Sequence, residues 1–415
     1  MKFSWMGRIA LAMLASIALG LGMTACGGGT IGFIWVLGDQ FNQITGFKVD
    51  DFTGNLTQII GSPFSSNGVN PVSIVVKPGG RYVYVVNQGT GGTRPTRDPV
   101  TGNIIAGKET SGGVAVYSVG GDGVLTFQQS YQTQGNTPVW AQFDGGGSFL
   151  YVLDRFSPDP KLISAPVDSG SITAFAVDGT TGRLTLVTNN TILVGGIPTT
   201  FFNVGPAPTM LKTAGGCLFT LDTGDNSVFP YAFGSNGQLM LTTPGSLPIS
   251  ASSLSSINGN GNNIYLTDQG ANRILPFTAG SNCNLATATG GPITGIAGTS
   301  NPVYSFVDNA GKFLYVLNQS TTTTNVQTPF SSISAYVISP QLTVIPDSPF
   351  PVGSGPVCMV EDTSSQYVYI SNRNDGSVTG NQIDAITGDL RPLKRGSTFP
   401  ASGLGSCLAL SGAVN

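Results

Sequence analysis

Polar side chains that could bind a ligand directly follow seven similar apolar runs of the chain. The runs end in Asn or Asp, at Asp39, Asn87, Asp154, Asp222, Asp268, Asn318 and Asn372. Arginine binds carboxylates and phosphates through charge-assisted hydrogen bonds, and glutamine adds neutral ones. If the seven endings surround one mouth, we expect the arginines and glutamines that come next to bind an anionic or sugar-like ligand: Arg155, Arg373, Gln40, Gln88, Gln269 and Gln319. The alternative is that Asn and Asp only initiate turns and that the arginines are solvated.

The spacing of these endings predicts the fold. They recur every 46 to 68 residues, after runs such as Tyr82-Val83-Tyr84-Val85-Val86. A strand that begins near Pro precedes each run, and an apolar alternation follows it, closed by a turn and Leu, as in Asp178-Gly179-Thr180-Thr181-Gly182-Arg183-Leu184. Each repeat therefore supplies four strands, which cannot bury their faces alone. We predict an all-β, seven-bladed β-propeller with four-stranded blades.

The two chain ends predict how the ring closes. Phe33-Ile34-Trp35-Val36-Leu37 is a second strand that lacks its first, and Ser406-Cys407-Leu408-Ala409-Leu410 is a first strand that lacks its second. We expect these segments to pair, because pairing removes two open sheet edges. The predicted organisation is a signal peptide at 1–25, a lipidated Cys26 with a Gly-rich tether at 26–31, and the propeller at 32–415.

The first residues predict export and a membrane anchor. Lys2 and Arg8 precede an apolar stretch, Ile9 to Gly22, that is short for a membrane span and normal for a secretory signal. Met23-Thr24-Ala25-Cys26 resembles the lipobox of bacterial lipoproteins, whose cysteine is acylated; an ordinary signal peptide is the alternative. We expect a protein of the bacterial cell envelope, anchored through Cys26 at the outer membrane or cell surface.

Four cysteines remain after Cys26, and disulfides are common in exported chains. Cys358 and Cys407 occupy matching places in adjoining repeats, and Cys217 and Cys283 lie in hairpins of successive repeats. We therefore prefer the pairs Cys217–Cys283 and Cys358–Cys407, with four buried thiols as the alternative.

Composition narrows the classes of partner. The formal charge is −3 with no basic run, so nucleic acid is not an expected partner. No Cys-x-x-Cys pair and no EF-hand spacing occur, and we expect no metal and no cofactor. The expected partners are the membrane, through Cys26, and a protein, a glycan or a small anionic ligand.

The repeats with Gly-x-Phe/Tyr-apolar-Tyr-Val-x-Asn and the Asp-x-x-Thr-Gly-x-Leu turn resemble lactonase-type seven-bladed propellers, a family that includes 6-phosphogluconolactonase, and YVTN-repeat surface proteins. The family implies a site with a His after Pro-Arg in a first strand. The corresponding places read Pro71-Val72-Ser73, Pro138-Val139-Trp140, Pro302-Val303-Tyr304 and Pro356-Val357-Cys358, and the chain has no His. We therefore predict a non-catalytic binding protein. The alternative is an exported lactone hydrolase that uses a carboxylate base such as Glu361.

Overall fold

The computed structural model describes residues 29–90, 96–97, 100–101, 104–105, 112–162, 169–194, 196–242, 245–295, 300–319 and 331–412. The predicted signal peptide and Cys26 lie outside the described residues, as do parts of the three longest loops. Within the described part of the chain, no helix has the length and apolar character needed to span a membrane.

The described chain folds into seven antiparallel sheets arranged as the blades of a propeller. The inner strands of blades 1 to 7 are Gly405–Gly412, Pro71–Val76, Asn136–Phe143, Pro208–Ala214, Leu254–Asn260, Pro302–Val307 and Pro356–Glu361. The second strands are Thr30–Gly38, Tyr82–Asn87, Phe149–Phe156, Cys217–Asp222, Asn263–Asp268, Phe313–Asn318 and Tyr367–Asn372. The prediction of a seven-bladed all-β propeller is confirmed.

The outer half of each blade follows the predicted turn. The third strands are Gln43–Asp50, Gly113–Val119, Ser169–Val177, Ser227–Phe233, Arg273–Ala279, Ser332–Val337 and Ser377–Ile383. The fourth strands are Leu56–Gln58, Leu125–Tyr131, Leu184–Leu186, Leu239–Leu241, Leu285–Thr287, Thr343–Val344 and Leu390–Pro392. Six of these begin with the Leu that closes the turn, and its side chain is buried in five of them and half-buried at Leu285.

Short additional elements decorate this frame. In six blades a fifth strand pairs with the third: Phe64–Ser65, Phe202–Pro206, Leu247–Pro248, Ile293–Thr294, Phe350–Pro351 and Thr398–Pro400. Two small hairpins lie outside the blades, Thr96–Arg97 with Ile104–Ile105 and Asn189–Val194 with Ile197–Thr199. The 3-10 turns are Pro160–Leu162 and Ser235–Gly237.

The last strand closes the ring as predicted. Gly405–Gly412 pairs antiparallel with Thr30–Gly38, with Ile34 opposite Leu410 and Trp35 opposite Ala409. The first strand begins at Thr30, inside the segment predicted as tether, because Thr30 still pairs with Asp50 across a bulge. The closing strand has a neighbour on its other side as well, since Cys407 is bonded to Cys358 of blade 7.

Aromatic side chains in the repeated motif connect five of the blades to the next one. In five second strands the central Trp or Tyr donates a hydrogen bond to a Gly carbonyl in the outer turn of the following blade. The pairs are Trp35–Gly123 at 3.1 Å, Tyr84–Gly182 at 2.8 Å, Tyr151–Gly237 at 3.4 Å, Tyr315–Gly388 at 2.9 Å and Tyr369–Gly54 at 2.6 Å.

Glycine is required at these turns for two reasons. Gly182 has φ of +69°, a conformation that side chains disfavour. A Cβ there would also lie 2.5 Å from Cδ1 of Tyr82, the aromatic residue two positions before Tyr84. The aromatic-x-aromatic pattern therefore covers the Gly turn of the neighbouring blade with one ring and hydrogen-bonds to it with the other.

The structure contains two disulfides, and they join adjacent blades. Cys217 of blade 4 is bonded to Cys283 of blade 5, with Cα atoms 5.8 Å apart. Cys358 and Cys407 are bonded between the inner strands of blades 7 and 1, with Cα atoms 5.2 Å apart. These are the two pairs preferred from the repeat positions.

Candidate functional site

The Asn and Asp endings of the second strands are mostly buried inside the blades. Asp154 and Asp222 are fully buried, and Asn372 is as well. Asp154 Oδ2 accepts the hydroxyl of Thr173 at 2.8 Å, and Asn372 Nδ2 donates to Thr379 Oγ1 at 2.8 Å. These side chains connect the second strand to the third strand, and to the linker that precedes the inner strand of the same blade. Six of the seven endings are therefore buried within the blades.

The surroundings of these carboxyl groups set opposite pKa shifts. Burial raises the pKa of Asp154 to about 7, and it raises that of Asp222 well above its usual range. Burial also acts on Asp268, but backbone N–H groups of Ser253 and Ser252 and the Arg273 guanidinium outweigh it and lower its pKa. Asp268 Oδ2 lies 2.9 Å from Arg273 Nε.

The two arginines of the predicted mouth have separate environments. Arg373 forms an ion pair with Asp39, the ending in blade 1, with Nη1 and Oδ2 2.5 Å apart. This pair bridges blade 7 and blade 1. Arg155 instead lies over the ring of Phe156, with 5.8 Å between its Cζ and the ring centroid. Nothing in these contacts brings the two guanidinium groups to one ligand.

Three of the four glutamines are engaged with the polypeptide. Gln88 Oε1 accepts from Asn70 Nδ2 at 2.6 Å. Gln269 donates to Asn301, and Gln319 Nε2 donates to the carbonyl of Pro356 at 3.0 Å, so each ties its blade to the start of the next. Gln40 is exposed. The role of these two arginines and four glutamines in ligand binding stays a prediction. Within the described residues, Arg155 and Gln40 are the two that make no such hydrogen bond or ion pair.

Glu361, the candidate carboxylate base, lies at the end of the inner strand of blade 7. It is buried, and Oε2 accepts the N–H of Asn309 in blade 6 at 2.5 Å. Burial raises its pKa to about 7, against the opposing effect of that hydrogen bond. Among described residues, the wall of the central channel includes its neighbours Met359 and Val360 but not Glu361.

A central channel of about 410 Å³ has walls from the inner strands of all seven blades. Polar and apolar atoms contribute equally to its surface, and its wall includes Trp140, Tyr304 and Phe306. Lys212, from the inner strand of blade 4, lines this channel. Burial lowers the pKa of its amine to about 8, and no charged group is among the causes. No ion pair or side-chain hydrogen bond reaches its Nζ from the described residues.

Sequence reasoning missed Lys212, although a signal for it exists. The residue pairs with Phe219, which occupies the central aromatic place of its second strand. Aligning the seven repeats on that place would have singled out the one lysine among the seven inner-strand positions opposite it.

Comparison with known proteins supports the fold. Residues 32–201 match the family model described as "Lactonase, 7-bladed beta-propeller". No curated protein matches the chain.

Solved structures share the architecture over nearly the whole chain. A putative 6-phosphogluconolactonase from Bacteroides fragilis superposes with a TM-score of 0.67 at 15% identity, covering 92% of this chain and 98% of its own. A periplasmic gluconolactonase from Pseudomonas aeruginosa superposes with a TM-score of 0.66 at 16% identity, covering 92% and 100%. At these identities the likeness establishes the fold alone. The described residues therefore form a seven-bladed β-propeller, and residues 32–201 match the family model of lactonase-type propellers.

Proposed function

We propose that the protein is a lipid-anchored propeller of a bacterial cell envelope that binds a small anionic ligand without catalysis. The observation that carries the binding role is the central channel, where a partly buried lysine has no counterion among the described residues. A partly desolvated cation without a partner is costly. An anion in the channel would remove that cost.

The chemistry of the chain favours binding over hydrolysis. The sequence has no His, the side chain that most often acts as general base near neutral pH. Glu361 has a suitable pKa, but its Oε2 accepts a backbone N–H and its side chain is absent from the described channel wall. The Asp154 and Asp222 carboxyl groups are fully buried inside the blades.

Lactone hydrolysis is the second candidate, because the solved neighbours include a periplasmic gluconolactonase. Incubating the protein with a panel of sugar lactones, beside an uncatalysed control, separates the two. We expect no excess turnover. Turnover above the control that disappears in Glu361→Gln would replace the binding role by the hydrolase.

The anchor is tested independently. In bacteria fed labelled palmitate, we expect the protein to incorporate the label and to sediment with the membranes. Cys26→Ser should lose both properties, because the acylated thiol is then missing. Unlabelled wild-type protein, or label that persists in Cys26→Ser, would rule out a lipid anchor at this residue.

A further inference from the structure

Seven side chains lie at one depth of the central channel, and their chemistry divides the ring in two. Each pairs with the central residue of its own second strand, so equivalent register places them at the same level: Ala409, Val75, Gln142, Lys212, Asn258, Phe306 and Val360. All seven line the channel. The polar ones belong to the consecutive blades 3, 4 and 5, and the apolar ones to blades 6, 7, 1 and 2.

The polar arc consists of Lys212 between two carboxamides. Asn258 Oδ1 accepts the N–H of Gly259 at 2.7 Å, which leaves its amide nitrogen with protons to donate. Gln142 Nε2 makes one long bond of 3.4 Å, to the carbonyl of Phe143. A cationic donor flanked by amide donors matches the two oxygens of a carboxylate.

A further donor lies beside this arc. Trp140 precedes Gln142 by two residues in the same inner strand and also lines the channel. Its Nε1 is buried and has no hydrogen-bond partner among the described residues. Buried donors without partners are uncommon in folded proteins and call for an explanation.

The opposite arc is hydrocarbon. Phe306, Val360, Ala409 and Val75 present no charge or hydrogen-bonding side chain to the channel. The other charged residue of the wall is Asp144, whose Oδ1 already accepts the N–H of Phe149 at 2.8 Å. The volume of about 410 Å³ lies within the usual range for small-molecule sites.

We infer that the channel binds a small carboxylate with an apolar body, its carboxylate on Lys212 between Gln142 and Asn258 and its hydrocarbon against Phe306 and Val360. This assignment rests on the proposed binding role and adds the ligand class and its orientation. The polar arc matches the carboxylate of such a ligand, and the apolar arc matches its hydrocarbon body. A uniformly polar channel would instead favour a sugar, and a uniformly apolar channel would favour a neutral lipid.

The test uses 2-naphthoate as the probe and 2-naphthalenemethanol as its neutral counterpart, measured by calorimetry and by quenching of Trp140 fluorescence. We expect saturable binding of naphthoate to the purified protein. Lys212→Met should weaken it by about 10- to 100-fold, the effect of losing a charge-assisted hydrogen bond. The weaker binding of the neutral probe should not change in that variant. Lys161→Met, at an exposed lysine, is the matched control.

Phe306→Ala gives the second readout, because it should weaken both probes by a similar factor. If Lys212→Met fails to fold, Lys212→Gln serves in its place. Unchanged naphthoate affinity without the lysine, or no saturable naphthoate binding, would overturn the inference. Thermal stabilisation by neutral sugars without any by naphthoate would also overturn it, yet would leave the broader binding role standing.

Discussion

Replacing Lys212 by Met should stabilise the ligand-free protein. The pKa of this amine is about 8 in the folded channel, against its ordinary value of 10.5. One pKa unit corresponds to about 1.4 kcal/mol, so holding the charged amine in the channel costs about 3 kcal/mol at pH 7. Methionine has a similar length and no charge, and it removes this cost. A residue that weakens the fold is expected where binding needs it.

The sign of the pH dependence follows from the lowered pKa. Below pH 8 both folded and unfolded chains hold the proton, and the whole cost is present. Between pH 8 and 10.5 the folded protein releases its proton first, so wild-type stability recovers relative to Lys212→Met. The advantage of the variant should therefore fall to about 1 kcal/mol at pH 9.5.

Urea unfolding at pH 7 and pH 9.5, followed by tryptophan fluorescence, measures both quantities. Lys161→Met should match wild type at both pH values, because that side chain is exposed. The other titratable residues of the wall are Asp144 and Tyr304, and burial raises the pKa of Tyr304 to about 12, above this window. A Lys212→Met protein that is less stable than wild type, or equally stabilised at both pH values, would refute the reasoning.

Three further substitutions test the frame around the channel. Replacing Cys358 and Cys407 with Ser should lower the free energy of unfolding by about 4 kcal/mol, the loop-closure value for a sequence separation of 49; an unchanged urea midpoint would contradict this. Tyr84→Phe should lower the free energy of unfolding by about 1 kcal/mol, because the hydrogen bond to the next blade is lost. Tyr265→Phe should lower it less, because the Tyr265 hydroxyl has no hydrogen bond within the described residues. Equal losses for the two variants in urea unfolding would argue against the contact. Asp154→Asn should stabilise the protein at pH 8. Because the pKa of Asp154 is raised to about 7 in the folded state, the wild-type protein loses stability as pH rises from 4 to 7, and the uncharged Asn does not. Three other blades carry Asn at this place, so the change fits the site; an unaltered pH slope of the urea midpoint would dismiss it.

The repeat pattern was enough to predict the architecture, because its strands and turns are determined by residues that are close in sequence. Strand alternation, Pro at strand starts and Gly in tight turns depend on near neighbours in sequence. Ring closure also followed, since each chain end carried half of one blade. The preferred pairing of Cys358 with Cys407 came from matching repeat positions, and the structure has that bond.

The candidate site was harder to predict, because it depends on contacts between blades. Arg373 looked available, but the fold brings Asp39 of blade 1 to its guanidinium. Glu361 resembled a free carboxylate, and the turn of blade 6 supplies it with the N–H of Asn309. In each case a residue from another repeat engages the side chain, and the spacing within one repeat carries no information about that partner.

What the sequence determined by itself is a wheel of seven similar sheets, since each repeat encodes the same strands and turns and none can bury both faces alone. The chemistry of the central channel, in contrast, depends on the assembled fold. Seven inner strands that are distant in sequence converge there, and burial by their neighbours converts Lys212 from an ordinary polar residue of one strand into an amine of lowered pKa. The desolvation of this amine requires the assembled channel wall, and the sequence of a single repeat does not predict it.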